Sequence, residues 1–196
     1  MCDDGRSTTR GTAVSFPDDE VRATVAEYVA LRRRIEDGDA TWPDLAEFFT
    51  DDAVYIDPAW GRIQGRDEIR EFMGDSMVGL EDWSFPIEYT AIDGDTVVVK
   101  WTQILPGNRP DGSPYVQSGY STLVYAGEGR FSYEEDLLNM AHVLEDLGAS
   151  GWRPGAGFNA PPAQPDRDFS RPLEPGRDGP LSDEPRRSPG SGRARP

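Results

Sequence analysis

The sequence predicts an α+β fold in which a strongly twisted antiparallel sheet curls around a long N-terminal helix. Apolar residues recur at helical spacing from Val21 to Met77 and at strand alternation from Trp83 to Leu138, with turn signals between the runs. Helices that precede a run of neighbouring strands form the α+β pattern. The expected order is helix, helix, strand, helix, four strands and a possible terminal helix.

Ser15-Phe-Pro-Asp18 has the marks of a helix start: a Ser cap, a Pro near the first turn and acids at the positive end of the dipole. Val21, Val25, Tyr28, Val29 and Ile35 continue that helix, Arg32, Arg33 and Arg34 suit its negative end, and Gly38 stops it. Thr41-Trp-Pro-Asp44 opens a short second helix with Leu45, Phe48 and Phe49 on its apolar face. Ala53 to Ile56 is β-branched and aromatic, a strand that ends at Asp57-Pro58. Gly61 to Gly65 reads as a loop before a third helix, whose buried face is Ile69, Phe72, Met73 and Met77.

Four strands follow. Trp83, Phe85, Ile87 and Tyr89 alternate with polar residues, and Asp93-Gly94 turns the chain into Thr96–Leu105. A loop from Pro106 to Pro114 leads to Tyr115–Tyr125, and the turn Ala126–Gly129 leads to Phe131–Leu138. Asn139 to Leu147 has the pattern of a terminal helix, stopped at Gly148. The sheet would bury Val21, Val25 and Tyr28 on its concave side, and the helices would cap one end and leave a cavity.

Composition divides the 196 residues. Residues 153–196 hold eight Arg, six acids and ten of the 17 prolines, so that this stretch is +2 and the remainder is −18. With so few large apolar groups it is expected to be a disordered tail. The expected organisation is a flexible N-terminus over 1–14, one domain over 15–152 and the tail. A domain at −18 disfavours nucleic acid and anionic membrane as partners. One Cys and one His exclude a disulfide framework and a multi-cysteine zinc site. Met1 to Pro17 has no signal-peptide stretch, and no run approaches the roughly 18 apolar residues of a membrane span. A cytoplasmic setting is the expectation.

Leu45-Ala-Glu-Phe-Phe-Thr-Asp-Asp-Ala-Val-Tyr-Ile-Asp-Pro58 and Gly65-Arg-Asp-Glu-Ile-Arg-Glu-Phe72, in this order of elements, resemble the SnoaL-like branch of the nuclear transport factor 2-like superfamily. The likeness covers roughly residues 18–147. It implies a cone-shaped α+β barrel and a homodimer, on a fold that hosts isomerases, cyclases, hydrolases, dehydratases and binding modules. By resemblance to ketosteroid isomerase, Asp57 corresponds to the general base, Tyr28 to the oxyanion-holding phenol and Phe72 to an aromatic lining residue. The position of that enzyme's second oxyanion donor, an acid, falls near Ser121, a departure from the steroid isomerase pattern.

The residues themselves add candidates and ordinary alternatives. Asp57, at a strand end, suits proton abstraction if burial raises its pKa, or is a turn-former before Pro58. Tyr28 is a substrate-facing hydroxyl or a core residue. Strand alternation puts Ser132, Glu134, Asp136 and Leu138 on one face and Phe131, Tyr133, Glu135 and Leu137 on the other. If the first face lines the cavity, Glu134 and Asp136 stand about 7 Å apart on one wall and raise each other's pKa. If the second does, they are in solvent. Trp60, Trp83, Trp101 and Tyr120 could line an apolar pocket or belong to the core. Gln103 is the one polar group in the row Val97, Val99 and Trp101. Convergent carboxylates can hold a hard cation, but no glycine-punctuated calcium loop accompanies them, and neither a metal nor a cofactor is expected.

The reading is a cofactor-independent acid–base enzyme of isomerase, cyclase or dehydratase type. It would act on a small apolar carbonyl-bearing metabolite, with Asp57, Tyr28, Asp136 and Glu134 as catalytic candidates. Phe72, Trp60, Trp101, Gln103, Ser121 and Leu138 are the candidates for contact with substrate. The alternative is a non-catalytic small-molecule-binding or dimerisation module of the same fold.

Overall fold

The computed structural model describes residues 16–172. The Ser15 cap, the N-terminus over 1–14 and the tail beyond Pro172 lie outside the described residues.

Helix α1 spans Asp18–Glu36, with Asp18, Asp19 and Glu20 in its first turn and Arg33 and Arg34 in its last. Its buried stripe is Val21, Thr24, Val25, Tyr28, Arg32 and Ile35. The second helix is a 3-10 helix, Trp42–Phe48, opened by Asp44, whose carboxylate accepts from the Thr41 amide at 2.8 Å and the Thr41 hydroxyl at 3.0 Å. Strand β1 is Phe49–Asp57, β2 is Gly61–Gln64, and helix α2 is Arg66–Asp75. Strands β3 (Ile87–Asp93), β4 (Thr96–Asn108), β5 (Pro114–Gly127) and β6 (Arg130–Leu138) lead to helix α3, Met140–Ser150. Met77 lies past the end of α2. Trp83 and Phe85 precede β3, because Pro86 lacks the N–H a continuous ladder needs; Ser84 makes an isolated bridge to Ile104.

The strands form one curved, unclosed sheet in the order β2-β1-β6-β5-β4-β3. The expected antiparallel sheet is corrected to a mixed one. β1 and β6 pair in parallel, joined by a long crossover through α2 and four strands, while the remaining ladders are antiparallel. The expected loop Gly61 to Gly65 is largely strand β2, in register with β1 from Asp57↔Gly61 to Val54↔Gln64.

A bulge in β6 resolves its two possible registers. Tyr133 faces Val124, and Phe131 faces the next residue, Tyr125, so Ser132 is an extra residue on β6. The alternation reverses across Ser132. Phe131 joins the concave core with Val21, Tyr28 and Leu123, while Tyr133 packs on the outer face with Val54, Ile56 and Val124. Glu134 and Asp136 therefore turn inward together with Phe131.

Residues 153–172, the described part of the segment expected to be a disordered tail, carry no helix or strand but touch β2. The Asp166 carbonyl accepts from the Arg62 amide of edge strand β2 at 3.1 Å, and a Cβ on Gly61 (φ +86°) would collide with that carbonyl oxygen. The Arg62 guanidinium donates to the Ser170 carbonyl at 2.7 Å, and Arg167 donates to the Pro58 carbonyl at 2.9 Å. Poor in apolar groups, the segment is held by its backbone carbonyls and covers a strand edge that would otherwise be unpaired.

Candidate functional site

The concave side encloses a cavity of about 260 Å³. Its walls come from α1 (Tyr28, Arg32), β1 (Tyr55, Asp57), α2 (Phe72, Met73), β4 (Trp101, Gln103), β6 (Asp136, Leu138) and α3, and its rim includes Phe158, Asn159 and Pro161. Asp57, Tyr28, Asp136, Phe72, Trp60, Trp101, Gln103 and Leu138 all line it. Two candidates do not. Glu134 is fully buried behind Tyr28, whose hydroxyl donates to its Oε1 at 3.4 Å. Ser121 is covered by Trp101, which donates from Nε1 to its Oγ at 3.0 Å, and it donates in turn to Asp136 Oδ1. Neither is a lining residue, because the larger side chain in front fills the space. Tyr120 is on the outer face, half-exposed, with the Lys100 ammonium 5.2 Å from its ring centroid.

β1 sends Ala53, Tyr55 and Asp57 inward, and Val54 and Ile56 outward, by strand alternation. Asp57 is also the turn-former: its Oδ1 accepts from the amides of Ala59 and Trp60, each at 2.7 Å. Burial, reinforced by the charge of Asp136, pushes the Asp57 carboxyl up to about 6, against the two amide bonds and the nearby Arg167.

Glu134 and Asp136 form a buried pair. Burial raises both carboxyls, the Asp136 charge raises Glu134 further and the Glu135 charge Asp136, and Arg32 and the hydroxyl donors only partly offset this. Tyr55 donates to Asp136 Oδ2 at 2.6 Å. Burial and the adjacent carboxylates hold the phenols of Tyr28 and Tyr55 well above the ordinary range, so both remain donors at neutral pH.

Sequence reasoning missed two of these groups. Tyr55 passed as a strand former, though its place two residues before Asp57 puts both on one face. Arg32 was assigned to the helix C-terminus, yet it stands four residues after Tyr28 and three before Ile35, on the buried stripe. It is 6% exposed, donates to the Phe85 carbonyl at 3.1 Å and lies 4.7 Å from the Trp42 ring centroid. Among the described residues, no three His, Cys, Asp or Glu side chains are grouped to hold a metal ion.

An unclosed α+β cone around an acid-lined cavity is an architecture of small-molecule enzymes and binding modules. The chain belongs to the SnoaL-like domain family, whose profile matches residues 25–133. No curated protein matches it. Among solved structures it is similar to a putative SnoaL-like polyketide cyclase from Jannaschia sp. CCS1, at 18% identity over 74% of this chain and 100% of that one, with a TM-score of 0.52. A second putative SnoaL-like polyketide cyclase, from Shewanella putrefaciens CN-32, is 16% identical over 68% of this chain and 87% of that one, with a TM-score of 0.51. A hypothetical protein from Catenulispora acidiphila DSM 44928 with a ketosteroid isomerase-like fold, solved with trimethylamine, is 24% identical over 65% of this chain and 98% of that one, with a TM-score of 0.50. These likenesses establish the fold.

Proposed function

We propose that the protein is a cofactor-independent acid–base enzyme of isomerase, cyclase or dehydratase type, acting on a small, largely apolar carbonyl compound. The observation that carries this reading is the splitting of proton affinities within one site. Asp57, at about 6, is ionised at neutral pH, while burial and the neighbouring carboxylates keep a proton on the Glu134–Asp136 pair. Asp57 takes a proton from carbon next to the substrate carbonyl. The electron pair moves to the carbonyl oxygen, where Tyr28 and Arg32 stabilise the oxyanion, and the proton returns to carbon or to a leaving hydroxyl, while the Asp136 carboxylate, held by Tyr55 and Ser121, orders that wall. Glu134, one layer behind, acts through Tyr28: when protonated it donates to the phenol oxygen and frees the phenol proton for the substrate.

The test is to extract the bound metabolite from purified protein, identify it by mass spectrometry and compare turnover by the wild type and Asp57→Asn. Loss of about 100-fold or more in kcat is expected for a removed general base. Unchanged turnover removes Asp57 from that role.

A non-catalytic binding module is the second reading, favoured by the two amides that already occupy Asp57 Oδ1. A homodimer belongs to the same proposal. Tyr89, Tyr120 and Leu137 are exposed along one row of cross-strand partners through Lys100 on the outer face, an apolar surface of the kind that marks association. A cytoplasmic setting fits the cysteine-poor composition; no helix among the described residues is long and apolar enough to cross a membrane.

A further inference from the structure

Three cavity-lining residues, Arg32, Trp83 and Gln103, meet around Phe85. Arg32 donates from Nη2 to the Phe85 carbonyl at 3.1 Å, and the Trp83 ring centroid is 6.4 Å from that of Phe85. The Ile104 amide donates to the Ser84 carbonyl and the Thr102 amide to the Pro86 carbonyl, each at 2.9 Å, which sets Gln103 beside Phe85. Each of the three holds a buried polar atom without a hydrogen-bond partner: Arg32 Nε, Trp83 Nε1 and Gln103 Oε1. Arg32 and Gln103 are each only 6% exposed. Folded proteins leave few such atoms, since each has given up its hydrogen bond to water without replacing it. Three such atoms on residues that line one cavity and neighbour Phe85, two donors and one acceptor, match a ligand with the complementary set.

We propose that Arg32, Trp83 and Gln103 form a recognition subsite for a hydroxy-carbonyl group of the ligand. Its carbonyl or enolic oxygen accepts from Arg32 Nε–H and Trp83 Nε1–H, and its neighbouring hydroxyl donates to Gln103 Oε1. The guanidinium, held by the Phe85 carbonyl and lying over the Trp42 ring, is positioned before the ligand arrives, which limits the ordering cost of binding. A ligand that lacks these oxygens would leave all three atoms unpaired, the condition under which buried polar sites discriminate most strongly. This inference rests on the cavity being a small-molecule site, and not on proton transfer by Asp57.

Isothermal titration of the full chain with two probes, the neutral hydroxy ketone 2-hydroxy-1-tetralone and 2-methylnaphthalene, tests it. The hydroxy ketone is expected to bind at least about tenfold more tightly. Trp83→Phe and Gln103→Leu, which are close in size, are expected to reduce that preference several-fold by weakening the hydroxy ketone alone. Equal affinities in the wild type, absence of hydroxy ketone binding, or variants that weaken both probes alike would overturn the subsite. Asp57→Asn is expected to retain the preference while losing turnover, so failure of the acid–base reading and failure of this one are separately visible.

Discussion

Asp57 is held between two demands: its carboxylate caps the turn at Ala59 and Trp60, and the protein around it leaves its charge only partly solvated. A carboxyl raised from 3.8 to about 6 contributes stability that is present below its unfolded pKa and is lost as pH rises through the folded one. Asp57→Asn keeps the accepting oxygen and removes the charge. It is expected to be more stable than the wild type above pH 6, by about 1–3 kcal/mol, and no more stable at pH 4, as read from thermal unfolding at both pH values. The same residue predicts the acid limb of activity: kcat/KM should rise with pH through about 6. Glu134→Gln keeps a neutral hydrogen-bonding group against Tyr28 and should fold like the wild type, whereas Glu134→Ala leaves a void behind the phenol and should cost about 2 kcal/mol or more. Asp57, Tyr28 and Phe72 were legible because each stands in a local pattern that carries its position. Arg32 was not, because a cation near a helix end has a sufficient local reason to be there, and only the stripe spacing shows that it is buried.

At the scale of elements, helix α1, helix α2 and the hairpins from β3 to β6 follow from periodicity and turn residues. What periodicity does not carry is pairing at a distance. The parallel ladder between β1 and β6, and strand β2 laid back along β1, depend on partners far apart in the chain or on a four-residue run too short to show alternation. Strict alternation along β6 forces a choice between an apolar and an acidic inner face. The bulge at Ser132 supplies both, Phe131 inward on one side and Glu134 and Asp136 inward on the other. One close approach across the sheet has a direct test. Gly119 stands opposite Trp101 in the β4–β5 ladder, and a Cβ there would collide with the indole ring. Gly119→Ala should therefore displace Trp101 from its bond to Ser121 and destabilise the fold by about 1–3 kcal/mol, with a changed near-ultraviolet circular dichroism signal as the readout.

Across the whole molecule, the segment after α3 decides how the cavity meets solvent. Trp152 packs on Trp83 with centroids 5.4 Å apart, Phe158 packs on Trp152 at 6.0 Å and against Gly79, and the chain then runs past the rim to β2. Composition describes this stretch correctly as poor in apolar residues, but not the few contacts that hold it. All five tryptophans, Trp42, Trp60, Trp83, Trp101 and Trp152, line the cavity, so tryptophan fluorescence, excited selectively over tyrosine, reports on it. Phe158→Ala should increase quenching of that fluorescence by acrylamide while leaving far-ultraviolet circular dichroism unchanged. Asp57 and the buried Glu134–Asp136 pair behind and beside it differ in proton affinity, and the most direct test of that difference needs no substrate. Carbon-13 NMR titration of the side-chain carboxyls of Asp57, Asp136 and Glu134 should show Asp57 ionising near pH 6 and the Glu134–Asp136 pair retaining a proton at neutral pH. Ionisation of all three in the ordinary range, about pH 4, would contradict it.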